Sequence, residues 1–241
     1  MVGALRGVVA LDGPSGTGKT TVARRLAQRL EAGYLDTGAM YRVITLAALR
    51  AGTDLTDQQA IAELASGTDL GVGTDPWDPV ALLDGENVGQ DIRKGTVTSA
   101  VSAVAAVRAV RELLVDAQRQ IIDGVLHDVG GIVVEGRDIG TVVAPDAPLK
   151  VFLTASAEVR AVRRAAQDTA AGRQAELKAV RKAVDLRDHL DSSRAADPMR
   201  AAEDAVKVDT SELGLERVLE VLTVLAETRE LLAEPEHGAV T

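Results

Sequence analysis

The residues Gly13, Pro14, Ser15, Gly16, Thr17, Gly18, Lys19 and Thr20 match the pattern G-x-x-x-x-G-K-[ST]. Glycines in such a run let the backbone curl until several N–H groups point at one centre. A helix starting there adds the positive end of its dipole. The product is a cradle for phosphate. Lys19 is expected to reach the β- and γ-phosphates and Thr20 to place its hydroxyl on Mg²⁺. The stretch that would hold ATP runs on to Thr21. A loop of this kind names a nucleoside triphosphate and leaves the reaction open. A guanine-reading Asn-Lys-x-Asp is absent, because the chain's one asparagine, Asn87, is followed by Val88. No G-x-S-x-G is built on Ser15, since Thr17 stands where the second glycine would be. A small kinase is the leading class.

Three further segments carry charge suited to a phosphorylated acceptor. In Leu35-Asp36-Thr37-Gly38-Ala39-Met40-Tyr41-Arg42, Thr37 can donate to a phosphate at a helix start and Arg42 can clamp it. A helix N-cap with a surface arginine is an equally good reading. Gly136-Arg137-Asp138-Ile139-Gly140 places opposite charges between glycines at a strand end. Arg137 can reach phosphate there and Asp138 can read a base or sugar; a tight turn with a local ion pair is the plainer alternative. Arg187, Asp191 and Arg194 fall at helical spacings of four and three. They make either a solvated, salt-bridged helix or, with Arg160, Arg163 and Arg164 upstream, an arginine lid over transferring phosphates.

These segments need elements to hold them. Apolar runs predict strands at residues 7–12, 34–36, 131–135, 149–153 and 206–209. Helical periodicity covers roughly 19–32, 39–50, 98–122, 156–171, 174–191 and 214–233. Strands alternating with helices imply a parallel sheet covered on both faces, an α/β fold. Residues 53–96 differ in texture, and Asp84-Gly85 between short apolar runs predicts a hairpin in a small β-rich insert. Residues 234–241 read as a frayed tail.

Composition narrows the classes. The chain has 241 residues, 46% hydrophobic and 26% charged, which suits a single globular domain with an insert. It has no cysteine, so disulfide frameworks, thiolate metal sites and thiol nucleophiles are excluded. Aromatics are 2% and net charge is −9, which argues against nucleic acid as a partner. Residues 158–200 nonetheless carry ten Lys/Arg against seven Asp/Glu, a local excess that suits a small anionic ligand. No apolar run reaches membrane-spanning length and the N-terminus lacks signal-peptide character; a cytoplasmic monomer without membrane attachment is expected.

The ordered set GPSGTGKT, LDTGAMYR, insert, EGRDIGTVV and RDHLDSSRAADP resembles the bacterial cytidylate kinase family over nearly the whole chain. The resemblance implies a P-loop three-layer fold with a five-stranded parallel sheet and transfer of phosphate from Mg-ATP to CMP or dCMP. It implies a core of residues 1–52, 97–155 and 197–233, an acceptor-binding insert at 53–96 and a lid at 156–196. It assigns Arg42, Arg137 and Arg194 to the acceptor phosphate, with Thr37 nearby. Ser102, Arg111 and Asp138 would read cytosine, and Arg187 and Asp191 would hold the ribose. Arg163 falls where a lid arginine meets the ATP phosphates, with Arg160 and Arg164 as rivals. Lys19, Arg137, Arg163 and Arg194 would then be the catalytic set. The chain departs from the family's common pattern at Glu135, where many members have Asp, at Leu190, often an arginine, and at Met199, often leucine. Rival readings are a kinase for another acceptor on the same fold, and a nucleotide-binding regulator with no acceptor.

Overall fold

A computed structural model describes residues 3–170, 172 and 176–234. Of the tail expected at 234–241, residues 235–241 lie outside them. Strand β1 (Gly7–Asp12) leads through the glycine loop into α1 (Lys19–Arg29), then β2 (Gly33–Asp36) and α2 (Thr37–Ala51). The insert holds α3 (Gln58–Ser66) and strands β3 (Leu70–Val72), β4 (Ala81–Leu83) and β5 (Glu86–Asn87), followed by a 3-10 turn at Asp91–Arg93. Next come α4 (Gly95–Ala105), α5 (Arg108–Asp128), β6 (Gly131–Glu135), a π-turn at Ile139–Val143 and β7 (Leu149–Thr154). Two helices, α6 (Ala157–Ala170) and α7 (Leu177–Ser193), precede β8 (Val206–Asp209) and α8 (Leu215–Thr228).

The main sheet has the order β2-β6-β1-β7-β8, with every pairing parallel. Successive side chains of a strand face opposite ways, and both faces here are covered. Val8 and Ala10 of β1 join Ile132 and Val134 of β6 in a core beneath α2, α4 and α5. Val9 and Leu11 join Val133 in a second core beneath α1 and α8. The continuous apolar run Gly131-Ile132-Val133-Val134 is thus explained: neither face meets water.

The expected hairpin forms at Asp84-Gly85, both with positive φ (51° and 79°), and Leu83 pairs with Glu86 across it. The left-handed conformation at both central residues is what a two-residue turn of this kind demands. The insert is less uniformly β than its texture suggested, because α3 sits within it; Asp57 caps that helix by accepting from Gln59 and Ala60 N–H. The single helix expected over 98–122 is two. Val107 is extended (ψ 116°) and α5 restarts at Arg108. The run Val101-Ser102-Ala103-Val104-Ala105-Ala106-Val107 is rich in residues of modest helix propensity, and burying Val104, Val107 and Val110 together favours the bend. Helix α1 stops at Arg29, short of residue 32, where Glu31 turns left-handed (φ 49°). Helix α8 stops at Thr228, and Leu232 instead bridges Leu5.

Parallel register has one consequence that matters for chemistry. Leu11 lies opposite Glu135, and Asp36 opposite Glu135, so the carboxyl ends of β1, β6 and β2 finish side by side. Asp12, at the end of β1, accepts from Ile139 and Gly140 N–H, both at 2.8 Å, and so pins the π-turn that follows Arg137 and Asp138.

Leu11→Ala removes a fully buried side chain from the centre of the sheet. It should cost about 2–5 kcal/mol by chemical denaturation, and a loss below about 1 kcal/mol would contradict this packing. Asp12 makes a second prediction. Burial outweighs its two backbone hydrogen bonds and raises its carboxyl from 3.8 to about 6. The folded state therefore holds this proton more tightly than the unfolded state, so the contribution is largest below pH 3.8 and lost as pH rises through about 6. Asp12→Asn should lower stability and flatten its dependence on pH across that window; parallel curves for the two proteins would contradict the assignment.

Candidate active site

The glycine loop turns where only glycine turns easily. Gly13 has φ 145° and a Cβ there would collide with the Leu153 carbonyl; Gly16 has φ 81° and packs on the Arg160 backbone. Lys19 is buried and its Nζ donates to the Pro14 carbonyl at 2.7 Å. Thr20 Oγ1 donates to Glu135 Oε2 at 3.0 Å, while Tyr34 Oη donates to Glu135 Oε1 at 2.6 Å. The Glu135 carboxylate is thus held between a phosphate-loop hydroxyl and a buried phenol. Burial, with Asp36 close by, raises its carboxyl to about 7.

Helices α6 and α7 grip this loop from outside. Asp188 of α7 accepts from Ser15 N–H at 2.9 Å and pairs with Arg160, which also donates to the Ser15 carbonyl at 3.2 Å. Arg163 donates to the Thr17 carbonyl at 3.3 Å and to the carbonyl and hydroxyl of Thr210 at 2.7 and 2.9 Å. Thr210 itself donates to the Thr17 carbonyl (3.2 Å).

Above the loop lies a cavity of about 410 Å³. Lys19, Arg42, Arg93, Arg137, Arg164 and Arg187 line it, against the two carboxylates of Asp36 and Glu135. The strain of assembling these cations shows in their acidities. Burial and then Arg137 push the Lys19 ammonium well down. Burial and then Arg187 push Arg42 to about 9, and burial and then Arg137 push Arg187 to about 10. Arg187 Nε is buried without a hydrogen-bond partner among the described residues, and Asp191 Oδ2 lies 4.0 Å away. A multiply charged anion would relieve all of these at once. A larger cavity, about 700 Å³, lies between α1 and the insert, but Arg24 and Arg93 share its lining with Asp36, Asp78 and Asp91. Charge, not size, marks the phosphate cleft.

A smaller pocket of about 60 Å³ opens from the cleft past Gly38, Gly136, Arg137 and Arg187. Ser102 lines it, with Asp191, Arg194, Arg111 and Asp138. Arg111 is fully buried under the Tyr41 ring, its Cζ 5.5 Å from the ring centroid, and is paired with Asp138 and Asp197. Arg194 stands 3.3 Å from the same Asp138 oxygen. Burial raises the Asp138 carboxyl against the pull of Arg111 and Arg194. Arg137 donates to Asp191 at 3.1 Å, and Ser102 lies 3.5 Å from it.

The expected residues therefore gather at two adjoining sites. Arg42 and Arg137 reach the cleft; Arg42 also donates to the Ile92 carbonyl and Thr98. Ser102, Arg111, Asp138, Asp191 and Arg194 form the smaller pocket, and Arg187 lines both. The Thr37 hydroxyl donates to the Glu135 carbonyl at 2.7 Å and so ties α2 to β6. Arg163 braces the loop from the Thr210 side, whereas Arg164 faces the cleft. Sequence reasoning missed Asp12, Tyr34, Asp188, Asp197 and Thr210. Asp12 had a signal, an acid ending an apolar strand beside the glycine loop. The partners of the other four come from distant segments, so spacing is silent on them.

A cytidylate kinase family model matches residues 9–228. The chain is 59% identical over 222 residues to a cytidylate kinase of Rhodococcus jostii, covering 92% of this chain and 95% of that protein. It is 52% identical over 226 residues to a cytidylate kinase of Mycolicibacterium paratuberculosis, covering 94% and 97%. Among solved structures, an uncharacterised protein of Eubacterium ventriosum aligns over 92% of this chain and 99% of its own, with TM-score 0.50 and 11% identity, a likeness of fold alone. With the phosphate loop, the cationic cleft and the Arg111–Asp138 pocket in one molecule, the chain belongs to the cytidylate kinase family.

Proposed function

We propose that the protein transfers the γ-phosphoryl group of ATP to CMP or dCMP, giving ADP and CDP or dCDP. The observation that carries this reading is the junction of a strongly cationic cleft with a pocket walled by Ser102, Arg111 and Asp138. Membership of the family supports ATP as the donor. Cytosine offers an amino donor at C4 and acceptors at N3 and O2. Asp138 accepts from the amino group, and Ser102 and Arg111 donate to the acceptors. Uracil would turn a carbonyl oxygen toward Asp138 and leave buried polar groups unpaired, which discriminates strongly.

In the reaction an oxygen of the CMP phosphate attacks the γ-phosphorus, and the bond from that phosphorus to the β–γ bridging oxygen breaks. The acceptor oxygen is already an anion at neutral pH, so no general base is needed, and catalysis rests on alignment and charge neutralisation. Arg42 and Arg137 align the acceptor phosphate, with Arg194 at its edge. Arg187 and Asp191 hold the ribose. Gly13, Pro14, Ser15, Gly16, Thr17, Gly18, Thr20 and Thr21 wrap the ATP phosphates, and Lys19 meets the charge that develops between donor and acceptor. Arg164 is the lid arginine facing that charge, while Arg163 steadies the loop. The Thr20 hydroxyl beside the Glu135 carboxylate fits Mg²⁺, a cation that takes few protein oxygens and keeps its place with phosphates and water. Held there, Mg²⁺ would offset the negative charge of the phosphates. We assign residues 1–52, 97–155 and 197–233 to the core, 53–96 to the acceptor-binding insert and 156–196 to the lid. The working form is a monomer in the cytoplasm, acting on free nucleotides. Among the described residues no helix is long and apolar enough to cross a membrane.

ADP release from Mg-ATP, with CMP, dCMP, UMP, AMP and GMP offered separately beside a no-acceptor control, tests the assignment. Turnover should be strong with CMP and dCMP and at least about 100-fold weaker in kcat/KM with the others. Preference for UMP or AMP would overturn the base-reading residues, and silence with every acceptor would overturn the kinase reading.

A further inference from the structure

Asp197 lies where the chain returns from the lid to the core, three residues beyond Arg194. Its backbone is left-handed (φ 48°), a conformation uncommon outside glycine and best tolerated by Asn and Asp. Its carboxylate accepts from Arg111 Nε at 2.7 Å, and its carbonyl accepts from Arg194 Nε at 2.7 Å. Met199 N–H donates to the Asp191 carbonyl at 2.9 Å and closes the turn. One residue thus holds two arginines of the smaller pocket, one with its side chain and one with its backbone.

The geometry points to Asp197 as a positioning residue for the base-reading arginine, an inference that rests on the function proposed above. A guanidinium is a flat fork whose Nε and Nη groups move together, so anchoring Nε fixes the plane of the whole group. In Arg111 the Nε is held by Asp197 and Nη2 by Asp138, while Nη1 makes only a 3.4 Å contact to the Ala105 carbonyl. Nη1 is therefore the edge available to a base acceptor. The anchor also protects Asp138. Arg111 and Arg194 both converge on Oδ2 of Asp138, which leaves Oδ1 for the cytosine amino group. Without Asp197 the one carboxylate paired with Arg111 among the described residues is Asp138, and a guanidinium offered a single carboxylate tends to engage both of its oxygens. That rotation would take Nη1 from the ring acceptors and Oδ1 from the amino group together. Asp197 keeps the two readers separate by giving the arginine a second carboxylate.

Two variants separate the carboxylate from the backbone. Asp197→Gly keeps the left-handed turn at no steric cost and deletes the carboxylate, and Asp197→Asn keeps both the turn and an acceptor. Steady-state kinetics with CMP, UMP and ATP, beside thermal unfolding, read the result. Asp197→Gly should raise KM for CMP about tenfold and lower the CMP-to-UMP ratio of kcat/KM by a similar factor, with KM for ATP and kcat within about twofold of wild type. Asp197→Asn should fall between wild type and the glycine variant. A wild-type KM for CMP in Asp197→Gly would overturn the inference. So would equal rises in both KM values with an unchanged CMP-to-UMP ratio, the mark of a merely structural staple. Wild-type protein that fails to use CMP would defeat the proposed function instead, and is seen before any variant is made.

Discussion

Six cationic side chains meet in one cleft with two carboxylates, and most of the surrounding structure is arranged to make that tolerable. Buried like charges repel in a medium that screens them poorly, and each is stable only with a partner or with a shifted acidity. The protein uses both solutions. Lys19, Arg42 and Arg187 sit below their ordinary values, while Arg137 leans on Asp191 and Arg164 on Asp168. What remains is a positive potential that the triphosphate of a donor and the single phosphate of an acceptor, placed end to end, would neutralise. A site of this kind is preorganised for the charge of phosphoryl transfer, since its donors are already oriented before the reacting groups arrive.

Parallel register is what brings the cations to one place. The ends of β1, β6 and β2 align, so three segments far apart in the chain open onto the same edge. Asp12 turns that alignment into a rigid joint by holding the turn beyond Arg137 and Asp138 from the base of the phosphate loop. Glu135 makes the second joint, with Tyr34 and Thr20 on its carboxylate and Thr37 on its carbonyl. Helices α6 and α7 are tied to the loop by Asp188, Arg160 and Arg163.

Much of this was legible in the chain. The phosphate loop, the five strands and the Asp84-Gly85 hairpin follow from local rules that tertiary packing reinforces, with glycines where φ is positive and unbroken apolar runs where both faces are covered. The break at Val107 was not legible, because helical periodicity continues through it on either side and only the packing of Val104, Val107 and Val110 favours the bend. Helix α3 was hidden for a related reason: Gln58-Gln59-Ala60-Ile61-Ala62-Glu63-Leu64 is a short amphipathic run inside a segment dominated by turn residues. At the site, residue type indicated which arginines would gather, but not their division of labour. Arg160, Arg163 and Arg164 lie within one helical turn and a half, and small differences of direction send one to Asp188, one to Thr210 and one to the cleft. Asp197 had no signal, since its partner Arg111 is 86 residues away.

If the cationic cleft is built around the phosphate of the acceptor, that phosphate carries much of the binding. Calorimetric titration with CMP and with cytidine, which keeps the base and ribose and lacks the phosphate, isolates that contribution. Loss of two or more charge-assisted hydrogen bonds should leave cytidine at least about 100-fold weaker than CMP. Affinities within about threefold of each other would mean that the buried arginines do not hold the acceptor phosphate.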